Sequence, residues 1–159
     1  MDRSLKWSEA FAGGHDGLDR EHHRLVALIN DFCTSVTIGG AAEIARRLRA
    51  LVAEAKRHLE HETLVLRGLR RELETPANDH LPRQLKTIIA TAIEEHIAEH
   101  VALRRRLAEV TRTVRNGRWA EGGTSPGQLV TMWFVDHAVK YDSQVKTILQ
   151  AMHSSPSRT

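Results

Sequence analysis

Four stretches of this 159-residue chain place histidine and carboxylate at spacings that suit metal ligation: DREHH at 19–23, HLEHE at 58–62, HIAEH at 96–100 and HAVKYD at 137–142. At about 100° per residue, His96 and His100 fall on the stripe of Ile89, Ile93, Leu103 and Leu107, so both imidazoles point where the leucines point. A lone core histidine is ordinarily a hydrogen-bonded packing residue. Two neutral imidazoles at i and i+4 instead present lone pairs to one point, as a metal requires.

The other stretches extend the set. His58 and Glu62 share the stripe of Leu51, Val65 and Leu69, and an inward carboxylate without a partner is costly. Phase selects His22 over His23 as the inward histidine, because His22 lies with Leu18, Leu25 and Ile29. In the last stretch the apolar pattern slips by one residue: Val130, Phe134 and His137 continue as Val145, Leu149 and Met152 rather than Tyr141, Gln144 and Ile148. A single π-type turn between His137 and Asp142 produces that slip and brings Asp142 round to the side of His137. The inward polar set is therefore His22, His58, Glu62, His96, His100, His137 and Asp142. Five imidazoles and two carboxylates suit two iron ions. If both carboxylates bridge and an oxide or hydroxide joins the ions, one of the twelve positions of two octahedra stays open for a small ligand such as dioxygen.

These residues need helices to carry them, and the chain is composed accordingly. Aromatics are scarce and only four residues are proline, which favours helix over sheet. Breaks at TIGG (37–40), TPAND (75–79) and NG (116–117) divide the chain into helices over about 17–36, 41–74, 81–116 and 126–152. Asp16 is the expected N-cap of the first, and Ser125 with Pro126 opens the last. Short connections argue for an all-α, up-down-up-down four-helix bundle. One domain spans 1–153, with residues 1–15 as an arm and 154–159 as a disordered tail.

In this order, one piece per helix, the ligand stretches resemble the hemerythrins in their single-domain bacterial form. The arm is similar too, with Trp7, Phe11 and GLDREHHRL in the expected places. The resemblance implies that His96, His100 and His137 hold one iron, that His22 and His58 hold the other, and that Glu62 and Asp142 bridge them. It further implies reversible dioxygen binding at the iron with the open position, for storage, delivery or sensing, without catalytic turnover. Trp133 and Phe134, a turn before His137, are the candidates for the wall of an apolar dioxygen pocket; both also suit plain core packing.

The chain departs from that pattern between Glu62 and His96, which are 34 positions apart. Longer second and third helices then form an extended hairpin, and its Leu66, Leu69, Leu73, Leu81, Leu85 and Ile88 need cover. A second copy of the chain or a partner protein is the expected cover. Leu59 and Leu103 also stand where aromatics are frequent. His15, His23, His61, His80 and His153 are expected at the surface or behind the ligands.

Other classes fit less well. The net charge is +3, with acidic and basic residues interleaved, which gives no nucleic-acid footprint. The single cysteine, Cys33, excludes an internal disulfide and a thiolate-ligated cluster. No apolar run is long enough to span a bilayer, and a soluble cytoplasmic protein is expected. A ferritin-like di-iron oxidase needs Glu-x-x-His pairs, and none occurs. Two alternatives remain: an enzyme consuming peroxide or nitric oxide at the same irons, and a redox or oxygen sensor acting through another protein.

Overall fold

The computed structural model describes residues 4–117 and 123–154. These residues form four long helices and no strand. Helix α1 is Asp16–Ile38, α2 is Ala41–Glu72 and α3 is Arg83–Asn116. The fourth is divided: α4, Pro126–His137, passes through a π turn at Ala138–Asp142 into α5, Ser143–His153. The π turn lies where the phase slip in the sequence requires it. The expected tail lies beyond Ser154, outside the described residues.

Local chemistry sets the helix ends. Ser125 caps α4 through the Gln128 N–H, Gln128 reciprocates, and Pro126 occupies the first turn. Helix α3 stops at Gly117, whose φ of 66° is left-handed. After α2, the Thr75 hydroxyl and the Asn78 amide both donate to the Glu72 carbonyl. Asp16 is not the cap of α1. His15 takes that place, its Nδ1 accepting from the Leu18 N–H at 3.3 Å, and Asp16 instead adds negative charge to the first turn, where the helix dipole favours it.

Helix α1 packs on α2 and α4, and α3 packs on the same two. The seven inward polar residues form a layer that separates two apolar cores. The larger core contains Leu25, Ile29, Phe32, Leu51, Leu59, Leu103, Leu107 and Phe134. The second contains Leu66, Leu69, Leu73, Leu81, Ile89 and Ile93 together with Val145, Ile148 and Met152.

In that second core most of the α2 and α3 leucines find cover within the chain itself. Leu66 and Leu73 are fully buried, and Leu69 and Leu81 nearly so. The cover is α5, which carries its own apolar stripe alongside them. Leu85 packs against the edge of this core, and Ile88 alone of the six is largely exposed, at 64%.

The arm is tied down rather than loose. Asn30 donates to the Leu5 carbonyl and accepts from the Leu5 N–H, Asp19 accepts from the Gly13 N–H, and Phe11 is buried in the larger core. Cys33 packs among core residues and meets Gly127 closely: a Cβ there would lie 3.0 Å from its sulfur.

Candidate metal centre

All seven sequence-selected residues converge, and each is at most 4% exposed. They form two adjoining groups, Glu62 with His96, His100 and His137, and Asp142 with His22 and His58. Asp142 spans them: its Oδ2 lies 2.9 Å from His22 Nε2, while its Oδ1 lies 2.9 Å from His137 Nε2 and 3.2 Å from His96 Nε2. Glu62 Oε2 lies 3.1 Å from His100 Nε2, 3.5 Å from His96 and His137, and 3.6 Å from His58. The π turn makes this possible, because it keeps His137 and Asp142 on one face although they are five residues apart.

Outer partners decide which ring nitrogen faces inward. Phe11 presents a carbonyl 2.6 Å from His22 Nδ1, and Glu21 presents a carboxylate oxygen 3.0 Å from His58 Nδ1. Both partners only accept, so each Nδ1 carries the proton and each Nε2 keeps its lone pair for the interior. Thr63 does the same for His100. Its hydroxyl donates to the Leu59 carbonyl at 2.7 Å, which leaves it to accept from His100 Nδ1–H at 2.8 Å.

His100 then exposes the logic of the site. Burial, with repulsion from His137 and His96, outweighs Glu62 and lowers its pKa, so the ring is neutral with its proton on Nδ1. Its Nε2 lone pair faces the Glu62 carboxylate at 3.1 Å. Two lone pairs at that distance repel unless a cation lies between them. Glu62 Oε1 and both Asp142 oxygens are buried without an aligned hydrogen bond, even though imidazole nitrogens lie close to Asp142. Neighbouring ligands about 2.1 Å from one octahedral ion lie about 3 Å apart, which is the spacing seen here. The donor set fits a metal ion on this evidence.

The remaining electrostatics are those of two buried carboxylates set among imidazoles. Burial alone would raise both carboxyls, and the charge of Asp142 adds to this at Glu62, yet the facing imidazoles hold both well below the ordinary range. His137, which burial alone would push down, is pushed up to about 10 by the charge and contact of Asp142 and by Glu62. His22 and His96 are raised for the same reason against the same opposition.

The two pocket candidates separate. Phe134 sits edge-on to His22, with ring centroids 5.8 Å apart, and edge-on to Phe11 at 5.2 Å. Trp133 is buried, its indole N–H has no partner among the described residues, and it lines a hollow against α3 with Leu107 and Val110. None of the five remaining histidines joins the clusters. His15 caps α1, His23 stacks under Trp7 at 3.6 Å, His80 lies near the Ala77 carbonyl, and His153 pairs with Glu72.

His61 reaches Glu21, the other oxygen of which holds His58. Glu21 itself escapes a reading by core phase, because it faces α2 from the flank of α1. The signal for it is the i, i+3 pair His58 and His61, which asks for one carboxylate opposite. Thr63 and Tyr141 escape for the same reason: they touch ligands from beside the stripe rather than from within it.

A family model, the hemerythrin HHE cation-binding domain, matches residues 13–149. No curated protein and no solved structure matches the chain significantly. The match runs from the arm through all seven buried residues to α5, and the chain belongs to the hemerythrin HHE cation-binding family.

Proposed function

We propose that this protein binds dioxygen reversibly at a non-heme di-iron centre, for storage, delivery or sensing. The observation that carries the reading is the division of Asp142, one oxygen toward each histidine group, with three imidazoles on one side and two on the other. That asymmetry supports a pair of ions with unequal numbers of protein ligands, one of them keeping a position free for a small molecule. His96, His100 and His137 would hold one ion and His22 and His58 the other, with Glu62 and Asp142 available to both. Bound there, the iron pair supplies the electrons that reversible dioxygen binding requires.

The chain's own residues do the rest. Phe11, Glu21 and Thr63 anchor three imidazoles through Nδ1 and so turn Nε2 inward. Phe134, with Phe11 and Leu103, lines the buried surroundings with apolar groups, and exclusion of water restrains side reactions at a bound ligand. The same reading takes the bundle as up-down-up-down, because its short connections favour antiparallel neighbours, and takes α2 and α3 as its extended hairpin. A carrier is favoured over an enzyme by this apolar packing of Phe11, Phe134 and Leu103.

The test is to load the protein with iron, reduce it without air, admit air and then purge. Two irons per chain and a visible band that appears and vanishes reversibly are expected. Irreversible bleaching would shift the reading to an oxidase or redox sensor, and zinc uptake with no iron would overturn it.

A further inference from the structure

Tyr141 is the chain's only tyrosine, and it stands in the π turn directly before Asp142. Its ring lies nearly parallel to that of His137, at 28° with centroids 5.6 Å apart, and 5.4 Å from that of His96. Both imidazoles belong to the same histidine group. The ring is only half-buried. With His137 it lines a surface hollow of about 450 Å³, whose rim carries Glu99, Arg106, Asp136 and Lys140. The Lys140 ammonium stands over the ring, 4.8 Å from its centroid.

Elsewhere the buried groups are sealed from solvent. His22 is closed in by Phe11 and Phe134. His58 is backed by Glu21, and only hydrogen bonds lead on from there to His61. Among the described residues, Tyr141 is thus the aromatic group that lies against the His137 and His96 rings on one side and opens to a surface hollow on the other.

We infer that Tyr141 is the electron-entry residue of the centre, carrying electrons from a small anionic one-electron donor, seated in the hollow beneath Lys140, to the ion held by His137 and His96. The inference rests on the di-iron reading above. In each event the donor loses one electron and one ferric ion gains it; no bond forms or breaks in the protein, and the ring serves as the contact path without being consumed. Lys140 over the ring draws the anion, Arg106 being paired with Glu99 at 3.9 Å, and its effect weakens with added salt.

The experiment follows reduction of the iron-loaded, oxidised protein by stopped flow, using dithionite as the anionic donor and reduced methyl viologen as the cationic one. Tyr141→Phe keeps the ring and should keep the rate. Tyr141→Leu leaves a gap in the contact path and should slow both donors about tenfold, with iron content and midpoint potential unchanged. Lys140→Glu leaves ring and ligands in place and should slow dithionite and speed viologen, each about fivefold at low salt. Arg67→Glu, an equal charge change on the exposed face of α2, should alter neither. As a readout independent of reduction, metal loading should perturb the ultraviolet difference spectrum of the single tyrosine. If Tyr141→Leu fails to retain iron, the Lys140→Glu result decides. Unchanged rates in both variants, with normal iron uptake, would overturn the role of Tyr141 and leave the di-iron reading standing. A wild-type protein that takes up no reducible iron would overturn both.

Discussion

Thr63 and His100 are joined by a 2.8 Å hydrogen bond in which the threonine can only accept, because its own proton is committed to the Leu59 carbonyl. A side chain one position beyond a carboxylate ligand therefore sets the tautomer of a histidine on another helix. The arrangement costs little in the folded protein: a neutral imidazole keeps one satisfied N–H, and its lone pair is left where a cation can use it.

Removing that acceptor should weaken the metal site without unfolding the protein. Thr63→Val is isosteric but leaves His100 Nδ1–H unsatisfied or lets the ring change tautomer. Metal affinity should fall about 10- to 100-fold, measured by competition with a chelator. Thr63→Ser should retain it. Equal affinity in the valine variant would show that His100 does not depend on Thr63.

Metal uptake should depend on pH in a defined direction. His137 is held protonated up to about 10, against an ordinary value of 6.5, so at neutral pH the metal-free site carries a proton that the ion must displace. Loading should release protons, and apparent affinity should rise with pH through the neutral range. A pH-stat titration during loading reads the released acid directly. For the metal-free protein the sign is opposite: the raised pKa gives His137 a stabilising contribution that is complete below about 6.5 and is lost as pH rises through about 10.

Metal removal should lower stability. Seven buried polar residues meet in one layer, and without an ion the unpartnered Glu62 Oε1 costs about 1–3 kcal/mol. An ion present at about 1,000 times its dissociation constant adds about 4 kcal/mol to the folded state. Calorimetry before and after chelation should show the melting temperature fall, and recover on reloading.

The role of α5 as a cover can be tested apart from the metal. Ile148 is nearly buried against the α2/α3 leucines, and Ile148→Ala should cost about 2–4 kcal/mol. Leu66→Ala, on the opposite wall of the same core, should cost a similar amount. Denaturant unfolding measures both. A much smaller loss at Ile148 would mean that α5 lies loosely on α2 and α3. At Ile88, exposed on α3, truncation should change stability by less than about 0.5 kcal/mol.

The seven buried polar residues and the π turn were legible in the chain itself, because both are written as phase: a side chain at helical spacing among leucines must face inward, and a one-residue slip needs one extra residue in a turn. That α2 and α3 are long was legible too, from the breaks at 75–79 and 116–117. Spacing reports each helix against its own axis and is silent about what another helix brings. Only the tertiary structure set α5 over the α2 and α3 leucines, turned Glu21 toward His58 and His61, placed Tyr141 against His137 and His96, and divided the oxygens of Asp142 between two histidine groups. Those relations depend on the mutual rotation and axial offset of packed helices, which a pattern within one helix does not contain.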